Sequence, residues 1–397
     1  MPTRPLLLIL AYLAFVSLGL PDTVLGVAWP TIRTTFDLNQ AGMGAVLGAS
    51  LCGYVSSGLV AGRLSARLGV GGLLAASCGF VALGLTGYAT APAWVLFFPF
   101  AAVHGIGSGA IDATLNGYAA RNLPVRHLNW LHAFWSVGAT IGPLVMTGAL
   151  SRTGSYRAGY GVLAAALAAM GVAFLLTRRS WDERPGAVPA ATPPRLVGAW
   201  EALGRGRVWL QIVIFFVYTG TETGAGQWCF TVMREGRGVG LEEAGAWTAA
   251  FWGSLLAGRI AVGFVIDRIG ADRLLRLCAI TLVAGAIAFA ASAGLAGRMG
   301  LLLLGLSLAP FYPTLMARTP ARLGSSVTAH AAGFQVSAAG LGSVAFPAAL
   351  GALATQLGIG VVAPAVAGIA VGFALLHETL VRVTRAGTAE APRTGGA

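Results

Sequence analysis

Residues 62–69 read Gly-Arg-Leu-Ser-Ala-Arg-Leu-Gly, and residues 263–270 read Gly-Phe-Val-Ile-Asp-Arg-Ile-Gly. Both stretches place an arginine two positions before a closing glycine, and both separate two long apolar segments. A polar turn that recurs in this way indicates an internal repeat. The sequence therefore predicts two related halves, each containing the same number of apolar segments.

The apolar segments on either side of these turns are long enough to cross a lipid bilayer, which requires about 20 residues. Of the 397 residues, 56% are hydrophobic and 10% are charged. A soluble protein carries about a quarter charged residues, so lipid must surround much of this chain. We predict twelve transmembrane helices, over residues 6–29, 40–62, 70–90, 93–117, 129–151, 157–177, 207–232, 243–266, 273–294, 299–318, 326–351 and 359–381.

A long polar connector with four prolines lies between the sixth and seventh segments. It predicts a flexible linker between two bundles. We expect an N-terminal six-helix bundle over 1–177, a cytoplasmic linker over 178–206, a C-terminal six-helix bundle over 207–385 and a disordered tail over 386–397. The predicted fold class is an all-α membrane protein whose two bundles are related by pseudo-two-fold symmetry.

The basic residues fix a direction for these helices. All 26 are arginine, and the net charge is +12. With the predicted spans, 19 arginines fall on the side of the termini and the linker, 6 fall on the other side, and Arg259 lies within a helix. The positive-inside rule then predicts cytoplasmic termini in a bacterial inner membrane. The rule also accounts for the positive charge without nucleic acid as a partner.

Three acids fall in the interior of predicted spans, away from the span ends, namely Asp22, Asp112 and Glu222. Each costs about 2.5–3.5 kcal/mol on insertion scales, so each needs a reason to be there. A carboxyl group in this setting can exchange a proton, which makes all three candidates for proton coupling. The alternative is a structural acid that hydrogen-bonds a neighbouring helix.

Polar and aromatic side chains near these acids are candidates for substrate binding. Asn116 lies one helical turn after Asp112, and His132 and Trp135 follow on the next helix. Amide, imidazole and indole groups around one cavity suit a polyhydroxylated solute. The full candidate set is Asn116, His132, Trp135, Gln227, Trp228, Tyr312 and Gln335. For His132 an interfacial position, and for Tyr312 simple packing, remain open.

Together these features resemble the major facilitator superfamily. The resemblance covers nearly the whole chain, and it implies that Arg63, Arg67, Asp267 and Arg268 belong to gating loops. Ala66 stands where the family usually has an acid, whereas Asp267 keeps it.

Several segments are similar to one branch, the fucose–proton symporters and sodium-dependent glucose transporters. They are Gly-Leu-Pro-Asp at 19–22, Gly-Ala-Ile-Asp at 109–112 with Asn116, Leu-Asn-Trp-Leu-His-Ala-Phe at 128–134, and the stretch 218–228. The resemblance implies that Asp22 and Asp112 serve proton coupling and sugar recognition.

The predicted function is secondary active transport of a small polar solute, sugar or sugar-like, coupled to protons by alternating access, with sodium as the other candidate ion. The alternative is a proton-driven efflux antiporter for amphipathic compounds, which the sequence Gly138-x-x-x-Gly142-Pro143 favours. We predict no enzymatic activity, because the spans contain no nucleophile–base motif. We also expect no cofactor, no metal site and a monomer in the bilayer.

Overall fold

The computed structural model describes residues 5–123, 125–181 and 198–389, and these residues fold into twelve long helices without a β-strand. In chain order the helices are α1 (Pro5–Asp22, continued by Leu25–Thr35), α2 and α3 (the two parts of Gly42–Thr90), α4 (Phe97–Asn122), α5 (Val125–Thr153), α6 (Tyr156–Thr177), α7 (Gly206–Thr231), α8 (Leu241–Ile269), α9 (Ala271–Ala291), α10 (Leu295–Leu308, continued by Phe311–Ala317), α11 (Ser325–Leu357) and α12 (Val362–Ala389). The predicted all-α fold with twelve spans is confirmed.

Ten stretches of helix in the described residues are long and apolar enough to cross a membrane. One of them, Gly42–Thr90, is 49 residues long and contains two predicted spans, α2 and α3. The helix α7 is not among the ten, because glycines, threonines and Glu222 interrupt its apolar residues. The polar residues that lower its hydropathy belong to the stretch 218–228, which is one of the segments that resemble a transporter branch.

Short elements join the long helices. Parts of the predicted linker are helical at Arg178–Trp181 and Ala199–Leu203, while residues 182–197 lie outside the described residues. The last helix continues to Ala389, four residues into the predicted tail, and 390–397 lie outside the described residues.

The two repeated turns have the same backbone geometry. Gly69 divides α2 from α3 with φ 72° and ψ 161°, and Gly270 divides α8 from α9 with φ 83° and ψ 141°. Positive φ is accessible to glycine at little cost, because glycine has no Cβ to collide with the backbone. The glycine that closes each repeat is therefore required by the turn itself.

Close helix packing also repeats between the halves. A Cβ on Gly138 or Gly142 of α5 would overlap the carbonyl oxygens of Val16 and Leu20 in α1. Correspondingly, a Cβ on Gly342 of α11 would overlap a backbone carbonyl of α7. Small residues let membrane helices approach this closely. The glycines that suggested an efflux motif therefore have a packing role.

The chain forms two compact units. The first contains α1–α6 with Ala225–Leu256 and Pro347–Val362, and the second contains the remainder of α7, α8 and α11 with α9, α10 and most of α12. These units divide three helices that the sequence assigns whole to the second half. The division into halves at the connector 178–206 remains a prediction.

Candidate functional site

The first candidate acid lies at an interruption of α1. The helix stops at Asp22 and restarts at Leu25, and Pro21 precedes the break without a backbone N–H to donate. The hydroxyl of Thr23 donates to the carbonyl of Ala139 in α5 at 2.9 Å, which holds the break against that helix. The carboxylate of Asp22 is exposed, and its Oδ2 accepts a 2.9 Å hydrogen bond from Nε1 of Trp135.

A side chain from α7 fills the gap in the hydrogen bonds of α1. Gln227 Nε2 donates to the carbonyl of Asp22 at 2.8 Å, and its Oε1 accepts from the backbone N–H of Gly26 at 2.9 Å. In an uninterrupted helix these two backbone groups would bond to each other, since they lie four residues apart. The amide of Gln227 thus replaces one helical hydrogen bond with two.

The second candidate acid, Asp112, is held by two neighbours. The hydroxyl of Tyr54 in α2 donates to Asp112 Oδ2 at 2.6 Å, and Nδ2 of Asn116 donates to Oδ1 at 2.9 Å. Hydrogen bonds to an ionised carboxylate are short and strong. Both Asp112 and Asn116 are half-buried, which leaves part of this cluster accessible.

The two acids belong to the same unit. Trp135 connects this region to a second indole, because its ring meets that of Trp252 edge to face with centroids 6.0 Å apart. His132 is exposed and its ring packs on the edge of Phe15. The first unit therefore contains two carboxylates, an amide and two indoles, which are groups that suit hydroxyl-rich solutes.

A polar network at the ends of α1 and α7 was not predicted from the sequence. Arg33 Nη2 contacts Glu235 Oε1 at 2.8 Å, and Glu235 Oε2 accepts from Nε2 of Gln40 at 2.9 Å. Gln40 Oε1 in turn accepts from Nε1 of the buried Trp29 at 2.9 Å. The sequence repeat could have indicated this pair, because Arg33 and Glu235 lie 202 residues apart at the ends of corresponding helices.

The third acid, Glu222, lies in the second unit and is 6% exposed. It accepts a hydrogen bond from the hydroxyl of Tyr218, one turn earlier in α7. The Tyr218 ring lies 6.2 Å from that of Tyr312, which also packs against Phe215 at 5.3 Å. Glu222 thus has an aromatic setting like that of Asp22 and Asp112, although it is more deeply buried.

Two further predicted ligands of the solute, Gln335 and Trp228, also have protein partners in this structure. Gln335 is fully buried and hydrogen-bonds to Gln211 and to Thr319, the latter at 3.2 Å. Trp228 is also fully buried, and its Nε1 donates to the carbonyl of Pro347 at 2.9 Å. Both positions hold helices together here, so contact with a solute would require these bonds to break.

The predicted gating-loop residues lie at the two repeated turns, 62–69 and 263–270. Arg63 and Arg67 are exposed at the end of α2, and Asp267 and Arg268 are exposed at the end of α8. In the described part of the chain none of the four forms an ion pair with another described residue. Their gating role stays a prediction.

One further polar contact lies close to Asp112. Nδ1 of His104 in α4 is 3.3 Å from the hydroxyl of Ser50 in α2, one turn from Tyr54. His104 is buried, and it is two turns before Asp112 on the same helix. No group of three metal-ligating side chains occurs within the described residues.

The comparisons with known proteins agree with this fold. The model of the Major Facilitator Superfamily matches residues 11–347. The chain belongs to the Major Facilitator Superfamily, and it is a multi-pass membrane protein. The resemblance found in the sequence is therefore confirmed at the level of the superfamily.

Among curated proteins, the chain is similar to "Bypass of stop codon protein 6" of Saccharomyces cerevisiae, with 24% identity over 297 residues. The match covers 67% of this chain and 58% of the yeast protein. The chain thus spans little more than half the length of that relative.

Three solved structures share the fold. The nucleoside transporter NupG matches with a TM-score of 0.75 and 14% identity, covering 96% of this chain and 100% of that one. A D-xylose-proton symporter matches with 0.71 and 16%, covering 94% and 96%. The structure of FucP in the outward conformation matches with 0.60 and 17%, covering 94% and 98%. At these identities the likeness shows the fold alone.

Proposed function

We propose that this transporter moves a small polar solute, of the sugar or sugar-like class, together with protons. The observation that carries the proposal is the pair of carboxylates in the first unit. Asp22 and Asp112 lie within predicted spans, remain accessible, and are each held by an aromatic hydrogen-bond donor. An acid retained in a membrane span is expensive unless it serves transport.

The chemistry of the cluster suits coupling. A carboxylate that accepts hydrogen bonds from Trp135 or Tyr54 can bind a proton and then release those donors for another acceptor. A solute rich in hydroxyl groups offers such acceptors. Exchange of partners at Asp22 or Asp112 would therefore link proton binding to solute binding, which is the requirement for coupled transport.

The substrate class follows from the donor set and agrees with the similar folds. Asn116 and Trp135 supply amide and indole groups, which bind hydroxyls and stack on sugar rings. The names of three proteins of similar fold refer to a nucleoside, xylose and fucose. We therefore propose a monosaccharide or nucleoside as the transported solute.

The experiment is uptake of radiolabelled fucose, xylose and uridine into proteoliposomes that contain the purified full chain. An inward proton gradient should drive accumulation of at least one of them, and a protonophore should abolish it. Asp112→Asn should lose gradient-driven uptake, and Tyr54→Phe should lower kcat/KM about tenfold by removing a charge-assisted bond. Uptake that does not depend on the proton gradient and is unchanged in Asp112→Asn would overturn proton coupling. Uptake that depends on a sodium gradient would identify sodium as the coupling ion.

Efflux of amphipathic compounds is the competing proposal, and it rests on Gly138, Gly142 and Pro143. Because these glycines pack α5 against α1, they are needed in either case and favour efflux weakly. Loss of the gene should sensitise cells to dyes or antibiotics if efflux is the role. Unchanged sensitivity across a broad panel would argue against it.

We also propose a bacterial inner membrane location with both termini in the cytoplasm. The support is the excess of arginine near the termini and the connector.

A further inference from the structure

The second unit contains a cluster of arginines and acids at the turn between α8 and α9 and at the ends of α10 and α12. Glu378 in α12 accepts two hydrogen bonds from Arg276 in α9, at 2.8 and 3.0 Å, and a third from Arg382 at 2.9 Å. One carboxylate thus serves two guanidinium groups. Its hydrogen-bonding capacity is largely used, and one positive charge remains in excess.

The same imbalance occurs at Asp272. Arg318 Nη2 lies 3.1 Å from its Oδ2, and Arg322 Nη2 lies 3.5 Å from its Oδ1. Four arginines therefore face two carboxylates. The cluster therefore holds two more arginines than carboxylates.

Several donors in this cluster have no acceptor. Arg322 is 8% exposed, and its Nε and Nη1 find no hydrogen-bond partner among the described residues, nor does Nε of Arg318. Burial and the charge of Arg318 lower the pKa of Arg322 to about 10. Buried guanidinium nitrogens are rarely left unpaired, since each lost bond to a charged group is expensive.

His377 points to the same missing acceptor. Its ring is 1% exposed, and neither ring nitrogen has a hydrogen-bond partner in the described part of the chain. The ring packs edge to face on Phe311 and lines a cavity of about 370 Å³ together with Arg276 and Glu378. An imidazole without a partner among the described residues therefore lines a cavity that also holds the ion pair between Arg276 and Glu378.

The remainder of the cavity is apolar and faces the surface between α9 and α12. Its lining residues there are Ala279, Ile280, Val283 and Ala374. Ile280 and Leu375 are each 66% exposed, as expected of side chains that face lipid. The cavity thus combines an apolar wall with a polar end, which is formed by His377 and the ion pair between Arg276 and Glu378.

We propose that this cavity binds an anionic phospholipid, with an acyl chain on the wall of α9 and α12 and the headgroup phosphate bound by Arg276, Arg322 and His377. The phosphate supplies both the negative charge and the acceptors that the cluster lacks. Basic pockets between membrane helices bind anionic headgroups in this way. In the proposed topology the site lies at the cytoplasmic leaflet.

Native mass spectrometry of the delipidated full chain tests the proposal with phosphatidylglycerol and phosphatidylcholine of identical acyl chains. Phosphatidylglycerol should bind at least about tenfold more tightly, because only it brings an uncompensated negative charge. Arg322→Gln should abolish this preference. Arg205→Gln, which removes an exposed arginine outside the cluster, should keep it.

A second variant separates specific binding from net charge and guards against misfolding of Arg322→Gln. The double change Arg276→Gln with Glu378→Gln leaves the net charge unchanged but removes a phosphate ligand, and it should also lose the preference. Equal binding of the two lipids by the unaltered chain, or a preference that survives both variants, would overturn the proposal. If inorganic phosphate stabilises the chain and phosphatidylglycerol has no effect, the site binds free phosphate and the lipid proposal is wrong.

Discussion

At the scale of single residues, Gln227 shows how one amide can join two helices. It occupies a gap in the backbone bonding of α1, and it is 4% exposed. Its partners are the backbone groups of Asp22 and Gly26, on either side of the break. Because one partner belongs to a candidate coupling residue, the position of α7 and the surroundings of Asp22 are linked through this side chain.

We predict that Gln227→Leu weakens the contact between the α1 and α7 segments of the first unit. Two hydrogen bonds worth about 1 kcal/mol each are lost, so the separated population should rise by roughly tenfold or more. Spin labels at Thr34 and Gly240 should then show a longer distance component by double electron–electron resonance. Thr223→Val, which removes a bond internal to α7, is the control. An unchanged distance distribution in folded Gln227→Leu would contradict the linkage.

The carboxylates illustrate what sequence reasoning reaches at this scale. Asp22, Asp112 and Glu222 are predictable because a charge within an apolar span is conspicuous. Tyr54 is not, because a tyrosine in an apolar helix has many possible roles. Only the fold brings Tyr54 to within 2.6 Å of Asp112, which lies 58 positions away in the chain.

At the scale of helices, glycine sets how closely α5 approaches α1 and α11 approaches α7. Gly138 and Gly342 both face a backbone carbonyl of the partner helix at a distance that leaves no room for a Cβ. The same helix pairs are related by the repeat. The repeat therefore preserves a packing distance as well as a sequence pattern.

Substitution at two glycines of α5 should have opposite effects. Gly138→Ala should lower stability by about 1–3 kcal/mol, because the new methyl group overlaps the carbonyl of Val16. Gly148→Ala has open space and should raise stability by about 0.5–1 kcal/mol, since alanine loses less conformational freedom in a helix. Apparent unfolding temperatures of the purified variants in one detergent measure both. A decrease for Gly148→Ala equal to that for Gly138→Ala would show that packing is not the cause.

At the scale of the whole molecule, the distribution of arginine predicts orientation. The loop between α3 and α4 contains no arginine, whereas the connector after α6 contains several. Charge of this kind determines which loops stay in the cytoplasm during insertion. The fold alone does not determine the orientation across the membrane, because its internal contacts are the same whichever way the chain is inserted.

In a background without native cysteines, Ala93→Cys should react with a membrane-impermeant maleimide in intact cells. Gly204→Cys should react only after the membrane is permeabilised. Both positions are exposed in the structure, so access to reagent depends on membrane side rather than burial. Labelling of Gly204→Cys in intact cells with protection of Ala93→Cys would invert the proposed topology.

The sequence by itself determined the number of spans, their grouping into a repeat and the superfamily. These follow from hydropathy, turn glycines and charge. They are local properties of the chain, and insertion into a membrane depends on them directly. It also identified the acids, because a carboxyl group in an apolar span is costly wherever it is placed.

The tertiary structure alone decided which of the candidate polar groups have partners. It paired Asp22 with Trp135, inserted Gln227 into the break of α1, and enclosed Gln335 and Trp228 in contacts with other helices. Among the residues that the structure describes, it also left donors of Arg322 and His377 without acceptors. Hydrogen bonds depend on distances of a few tenths of an ångström between residues remote in the chain, and only helix packing fixes those distances.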